Sequence, residues 1–230
     1  MDLVYIVKTS APIESYNELR FSIRSMERNL VFENLVIVGG IPSFLKNIKR
    51  LPVPDSEGHK YPNVAKKILR LLEYENITED FIYCNDDFFL LKYYGFVPYL
   101  HKGLLRNWIE NYPFRKGIYY EQIVDVYEKF PNGKFFEVHF PIVFNKANLW
   151  KIIKKYGMAE KKIMVMLRTY YCNELGIDGE ETRDYKIYNI SQLEEYKNAP
   201  FISTTDQTAM SSEFKTFIYN RFPQKSKFEY

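Results

Sequence analysis

At 230 residues the chain can bury one large core, or a core with a small added lobe. With 46% hydrophobic and 27% charged residues, it reads as a globular sequence, not a disordered or fibrous one. A net charge of +3, spread along the chain, permits anionic substrates but does not by itself make a nucleic-acid surface. Cys84 and Cys172 lack Cys-x-x-Cys spacing, which weighs against zinc and thioredoxin-like chemistry, and no apolar stretch approaches the ~20 residues of a membrane span. The start of the chain is too short and too acidic for a signal peptide, so the expected compartment is the cytoplasm.

Residues 3–7 form a short apolar, β-rich run that reads as a buried strand, and residues 9–15, with Pro12, read as a loop. Over 16–29 a helix is expected, because Leu19, Ile23, Met26 and Leu30 recur every three or four residues. Arg20 and Arg24 lie one turn apart on that helix. Such a pair can clamp a diphosphate, or it can be a solvated face with Glu27 as partner. Residues 35–38 read as a second strand, ending in Gly39-Gly40, and 42–49 as a short helix. Residues 51–54 are extended, because proline restricts the residue before it. A polar loop over 55–63 leads to a helix over 64–74, with Ile68, Leu71 and Leu72 inward. In that loop Lys60 and Asn63 are candidates for meeting phosphate or sugar hydroxyls.

Residues 80–91 are the most informative. Phe81, Ile82 and Tyr83 read as a third strand, Phe88 to Leu91 are apolar again, and Asn85, Asp86 and Asp87 sit between. Buried carboxylates need a cation or several donors, and hard cations favour such oxygens. The same three residues also suit a turn or a helix N-cap. Strand and helix alternate up to this point, the mark of a mostly parallel α/β sheet whose ligands bind at the carboxyl ends of the strands.

Beyond residue 100 the pattern loosens. Helices are expected over 119–130, 148–156, 161–172 and 212–221, and strands over 135–140 and 185–190. His139 reads either as a packed, hydrogen-bonded residue or as a metal ligand or base. Asp206 reads either as a helix cap or as a site carboxylate, and Arg168 and Asn173 as further contacts for phosphate or hydroxyls. No Gly-x-Gly-x-x-Gly, Walker loop or Gly-x-Ser-x-Gly elbow is present, which weighs against dinucleotide oxidoreductases, P-loop NTPases and serine hydrolases. Acids after an interior strand fit a nucleotide-sugar transferase, where a divalent ion offsets the leaving diphosphate.

The segments Asp2-Leu3-Val4-Tyr5, Asn17-Glu18-Leu19-Arg20-Phe21-Ser22-Ile23-Arg24, Leu35-Val36-Ile37-Val38-Gly39-Gly40 and Phe81-Ile82-Tyr83-Cys84-Asn85-Asp86-Asp87-Phe88-Phe89 together resemble the Stealth family of capsular-polysaccharide and hexose-1-phosphate transferases. Lys60 to Asn63, His139 to Pro141 and Ser203 to Asp206 are similar to segments of compact glycosyltransferase-like proteins encoded by bacteriophages. The resemblance implies one GT-A-like α/β domain, mostly parallel, with a nucleotide-binding half over 1–100 and a helix-rich acceptor-side half over 101–230. It implies a nucleotide-sugar donor and Mn²⁺ or Mg²⁺. Position by position, the resemblance supports Arg20, Arg24, Lys60, Asn63, Asp86, Asp87 and His139 as site residues. Taken with the reading of the residues themselves, Asp86, Asp87 and His139 are expected as metal ligands, joined by Asp206 as catalytic groups, with Arg20, Arg24, Lys60, Asn63, Asn85 and Arg168 on the substrate. The acceptor stays open among glycan, protein and modified DNA base. Where Stealth proteins carry Trp-Val-x-Gly, this chain has Val7-Lys8-Thr9-Ser10, so transfer of a sugar is expected before transfer of a sugar phosphate. A domain that only binds carbohydrate or a partner is the non-enzymatic alternative.

Overall fold

Successive residues of the first strand enter two different cores, and the rest of the fold follows from that. The computed structural model describes residues 1–9, 15–56, 58–112 and 116–230, the side chains of 15 and 16 excepted. Most of the loop expected over 9–15, including Pro12, lies outside the described residues. In chain order the elements are β1 (Asp2–Val7), α1 (Ser15–Asn29), β2 (Leu35–Gly39), β3 (Lys49–Leu51), α2 (Lys60–Glu73), β4 (Asp80–Cys84), β5 (Phe88–Leu90), β6 (Leu100–His101), α3 (Leu105–Asn111) and α4 (Ile118–Lys129). There follow β7 (Ile142–Asn145), α5 (Lys146–Lys155), α6 (Met158–Lys161), α7 (Leu167–Glu174), β8 (Glu180–Glu181), β9 (Lys186–Ile187), a 3-10 turn (Ile190–Gln192), α8 (Leu193–Tyr196), β10 (Phe201–Thr204), α9 (Asp206–Met210) and α10 (Ser212–Arg221).

The central sheet has the order β3-β2-β1-β4-β7, with the first four strands parallel and β7 antiparallel to β4. Side chains alternate across a strand, and here both faces are covered. Val4, Val36, Val38 and Phe81 pack with Ile68 and Leu71 of α2. Leu3, Tyr5, Leu35, Ile37 and Ile82 pack with Leu19, Ile23 and Met26 of α1. Burying each of these α1 side chains stabilises the fold by about 2 kcal/mol. A smaller sheet, β5-β10-β9, covers a third cluster with Phe89, Ile202, Phe214 and Ile218. The chain passes from the central sheet into the smaller one at residues 85–87.

The expected fold class holds: a mostly parallel sheet flanked by helices, with many helices in the second half. Several elements differ from the sequence reading. The helix expected over 42–49 does not form. Leu45 instead bridges Glu229, and the Lys46 amide donates to the Phe228 carbonyl. Helix α2 starts at Lys60 because Pro62 falls in its first turn, where no amide donor is needed. Residues 135–140 are not a strand. The Phe135 amide donates to the Gly103 carbonyl, and Arg168 takes up the Val138 and Phe140 carbonyls. The strand comes later, as β7. The helix expected over 161–172 is broken at Lys162, whose φ is 53°, and resumes as α7. Among the described residues, no helix is long and apolar enough to cross a membrane.

Candidate active site

The chain begins in the middle of its sheet, builds outward to β3, then returns to lay β4 on the other side of β1. The order reverses between β1 and β4, and a crevice opens beyond their carboxyl ends. A cleft of about 700 Å³ lies there, lined by Lys8, Glu18, Lys60, Asn85, Asp86, Asp87, Glu137, Arg168 and Asp206, with Tyr83 and Tyr119 among its aromatic walls. Gly39 closes the neighbouring strand end. Its φ is +109°, and a Cβ there would lie 2.0 Å from the Val7 carbonyl oxygen, so only glycine lets β2 and β1 end this closely together.

Asn85, Asp86 and Asp87 form the turn between β4 and β5, closed by the Phe88 amide donating to the Asn85 carbonyl at 3.4 Å. The turn reading and the cleft reading of this motif therefore describe the same residues. Asp87 pairs with Lys186 at 3.3 Å. Asp86 has no such partner. Its carboxyl is pushed up to about 7 by burial first, then by Asp87 and Asp206, with Lys67 acting weakly the other way. Lys67 is already committed to Asp55, which also accepts from the Thr9 amide at 2.7 Å.

Sequence reasoning missed one member of this group. Glu18, in the first turn of α1, lines the cleft and accepts a hydrogen bond from the Thr204 hydroxyl. Burial pushes its carboxyl up to about 8, helped by Asp86, Asp87 and Asp206 and opposed by the Thr204 bond. Its signal in the sequence is ordinary, since an acid near a helix N-terminus also complements the helix dipole. Four carboxylates thus share one electrostatic neighbourhood with few cations to offset them.

The remaining expected site residues divide. Asn85, Lys60, Arg168 and Asp206 line the cleft with the acid pair. Asp206 is exposed and opens α9, while the cap of that helix is the Thr205 hydroxyl, which accepts from the Thr208 amide. Arg20 and Arg24 are not brought to the cleft. Both bind Glu229, Arg24 through two bonds of 2.7 and 2.8 Å and Arg20 through one of 2.6 Å. Glu27, their expected partner, instead accepts from the Lys227 amide. Asn63 stitches its own loop, accepting from the Ser56 amide at 2.8 Å, and does not line the cleft. His139 is likewise outside the cleft lining. Its Nδ1 lies 2.7 Å from Asp184 Oδ2, and Asp184, also bound by Lys102, is held well below the usual carboxylate range. The imidazole expected as a metal ligand is therefore not delivered to Asp86 and Asp87. Asn173 bonds the Lys134 carbonyl and amide, a structural role.

Among solved structures, the galactosyltransferase LgtC in complex with donor and acceptor sugar analogs matches 99% of this chain and 98% of its own, at TM-score 0.53 and 11% identity. An active-site mutant of LgtC matches the same shares at TM-score 0.55 and 10% identity. No family model matches the chain, and no curated protein matches it, so the Stealth family stays a resemblance. At this identity the likeness is one of fold, and the fold is GT-A-like.

Proposed function

We propose that the protein is a glycosyltransferase that takes a sugar from a nucleotide-diphosphate donor held in the cleft between the ends of β1 and β4. One observation carries this reading: an acidic turn at the strand-order reversal lines a cleft of about 700 Å³, and Asp86 within it is buried beside Asp87 and Asp206 with no ion-pair partner among the described residues. The GT-A-like fold supports it, and so does LgtC, whose complex holds donor and acceptor sugar analogs.

The donor set suits a hard divalent cation such as Mn²⁺ or Mg²⁺. Among the described residues no three His, Cys, Asp or Glu side chains are grouped to hold an ion by themselves. Asp86 and Asp87 would supply the protein oxygens, and diphosphate oxygens and water the rest, as such cations commonly require. When bound, the ion neutralises charge on the departing nucleoside diphosphate. Lys8 and Lys60 line the same cleft and would meet phosphate oxygens. Lys60 opens α2, whose first turn holds no acid and whose cap His59 makes no side-chain cap bond, so its amides favour an anion. Asp206 would accept the proton of the acceptor hydroxyl. His139 has no part in this reading.

Donor turnover with and without Mn²⁺ tests the proposal, with the released nucleotide identified. A nucleoside diphosphate marks sugar transfer, and a monophosphate marks sugar-phosphate transfer. Full turnover in both Asp86→Ala and Asp87→Ala would exclude the site.

A further inference from the structure

Arg168 and Glu137 line the same cleft, and their hydrogen bonding is incomplete. Arg168 is 6% exposed. Its Nη1 donates to the Val138 carbonyl at 3.0 Å and to the Phe140 carbonyl. Its Nε lies 4.0 Å from Glu137 Oε2, beyond hydrogen-bond reach. Its Nη2 is buried and has no partner. The guanidinium lies over the rings of Phe88 and Tyr83 at 5.3 and 5.5 Å, which fixes its plane. Glu137 is fixed too, since its Oε1 accepts from the Thr169 amide at 3.0 Å and hydroxyl at 3.2 Å. Both residues line the cleft. A buried donor left unmatched is costly, so a rigid Nη2 with Glu137 Oε2 nearby is an arrangement that a ligand completes.

The geometry points to Arg168 and Glu137 as a sugar subsite that takes a neutral sugar through two neighbouring hydroxyls, one accepting from Nη2 and one donating to Oε2. The inference rests on the donor-cleft reading above. A carboxylate-bearing sugar is disfavoured, because the guanidinium edge that would take its carboxylate already faces Glu137, whose Oε2 lies 4.0 Å from Nε.

Melting shifts with UDP, GDP, ADP and dTDP, each with Mn²⁺, identify the diphosphate that binds. Its hexose and hexuronate forms are then titrated. The hexose form is expected to bind at least about tenfold tighter than the hexuronate form. In Glu137→Gln that ratio falls towards one, and in Arg168→Lys the hexose form loses about tenfold of its gain over the bare diphosphate. If Arg168→Lys does not fold, Glu137→Gln alone decides. A hexuronate bound as tightly as the hexose, or an unchanged ratio in Glu137→Gln, overturns the subsite and leaves the donor reading standing. Failure of all four diphosphates to bind overturns both.

Discussion

Two glutamates meet at helix α1, Glu18 on the helix and Glu229 bound to its arginines, and their surroundings drive them in opposite directions. Glu229 on one side meets Arg24 and Arg20, and its carboxyl is held down to about 2 by the Arg24 bond, the Ser226 amide and Arg20, against the effect of burial. Glu18 on the other side meets burial and three further acids, and is pushed up to about 8. The first carboxylate is matched, and it pins the end of the chain to the helix. The second is unmatched, in a cleft that would take a cation. Within a buried site the partner decides whether a charge serves the fold or awaits a ligand.

The largest expected effect breaks the unmatched side. Asp86→Asn keeps the shape of the turn and removes one carboxylate, so turnover with the cognate donor should fall by about 10³-fold or more, on the scale of losing a key electrostatic group. Folding, followed by circular dichroism, should be retained. A loss of less than tenfold would mean the acid turn is not the centre of the chemistry. Next comes the matched side. Glu229 is 0% exposed and Arg24 8% exposed at the side chain, and Glu229→Gln leaves Arg24 buried without its counter-charge. Unfolding in urea should show a loss of about 3–5 kcal/mol. Because the folded carboxyl is depressed, the stability from this pair is present above the unfolded value of 4.5 and is lost as pH falls towards about 2.

That contrast also explains what the sequence could reveal. Most of the first ninety residues were legible, the helix expected over 42–49 excepted, because period-2 and period-3.6 patterns alternate there, and Asp86 and Asp87 stood out as acids inside an apolar run. Arg20 and Arg24 were legible as a pair but not by role. Spacing shows that two guanidiniums share a face, while their partner Glu229 is 205 residues from Arg24. Glu18 sat in plain view as a first-turn acid, and only the third dimension puts Asp86, Asp87 and Asp206 beside it. Residues 135–140 misled because an apolar run suits a strand, yet a buried arginine can occupy the carbonyls that a ladder would use. The break at Lys162 has no proline or glycine to announce it.

A smaller effect sharpens the unmatched side. Protons on Asp86 and Glu18, held up to about 7 and about 8, must leave before a cation can bind well. Mn²⁺ affinity should therefore rise with pH through this window, by up to about tenfold per unit for each proton released, and level off above it. Calorimetry in two buffers of different ionisation heat would count those protons. A flat profile would show that the acids are ionised without the metal.

The smallest expected effect concerns stability alone. Glu18 has a folded-state value raised from 4.5 to about 8. Between those limits the folded chain keeps a proton that the unfolded chain releases, so folding weakens as pH rises. Glu18→Gln removes that weakening and keeps an oxygen to accept from the Thr204 hydroxyl. The substitution should be neutral near pH 4, where the carboxyl is protonated in both states. It should stabilise by roughly 1 kcal/mol near pH 8.5, the shift being discounted for partial solvation. Melting temperatures at the two pH values read the difference directly. An equal change at both would mean that Glu18 is as well matched in solution as Glu229, and the opposition across α1 would disappear.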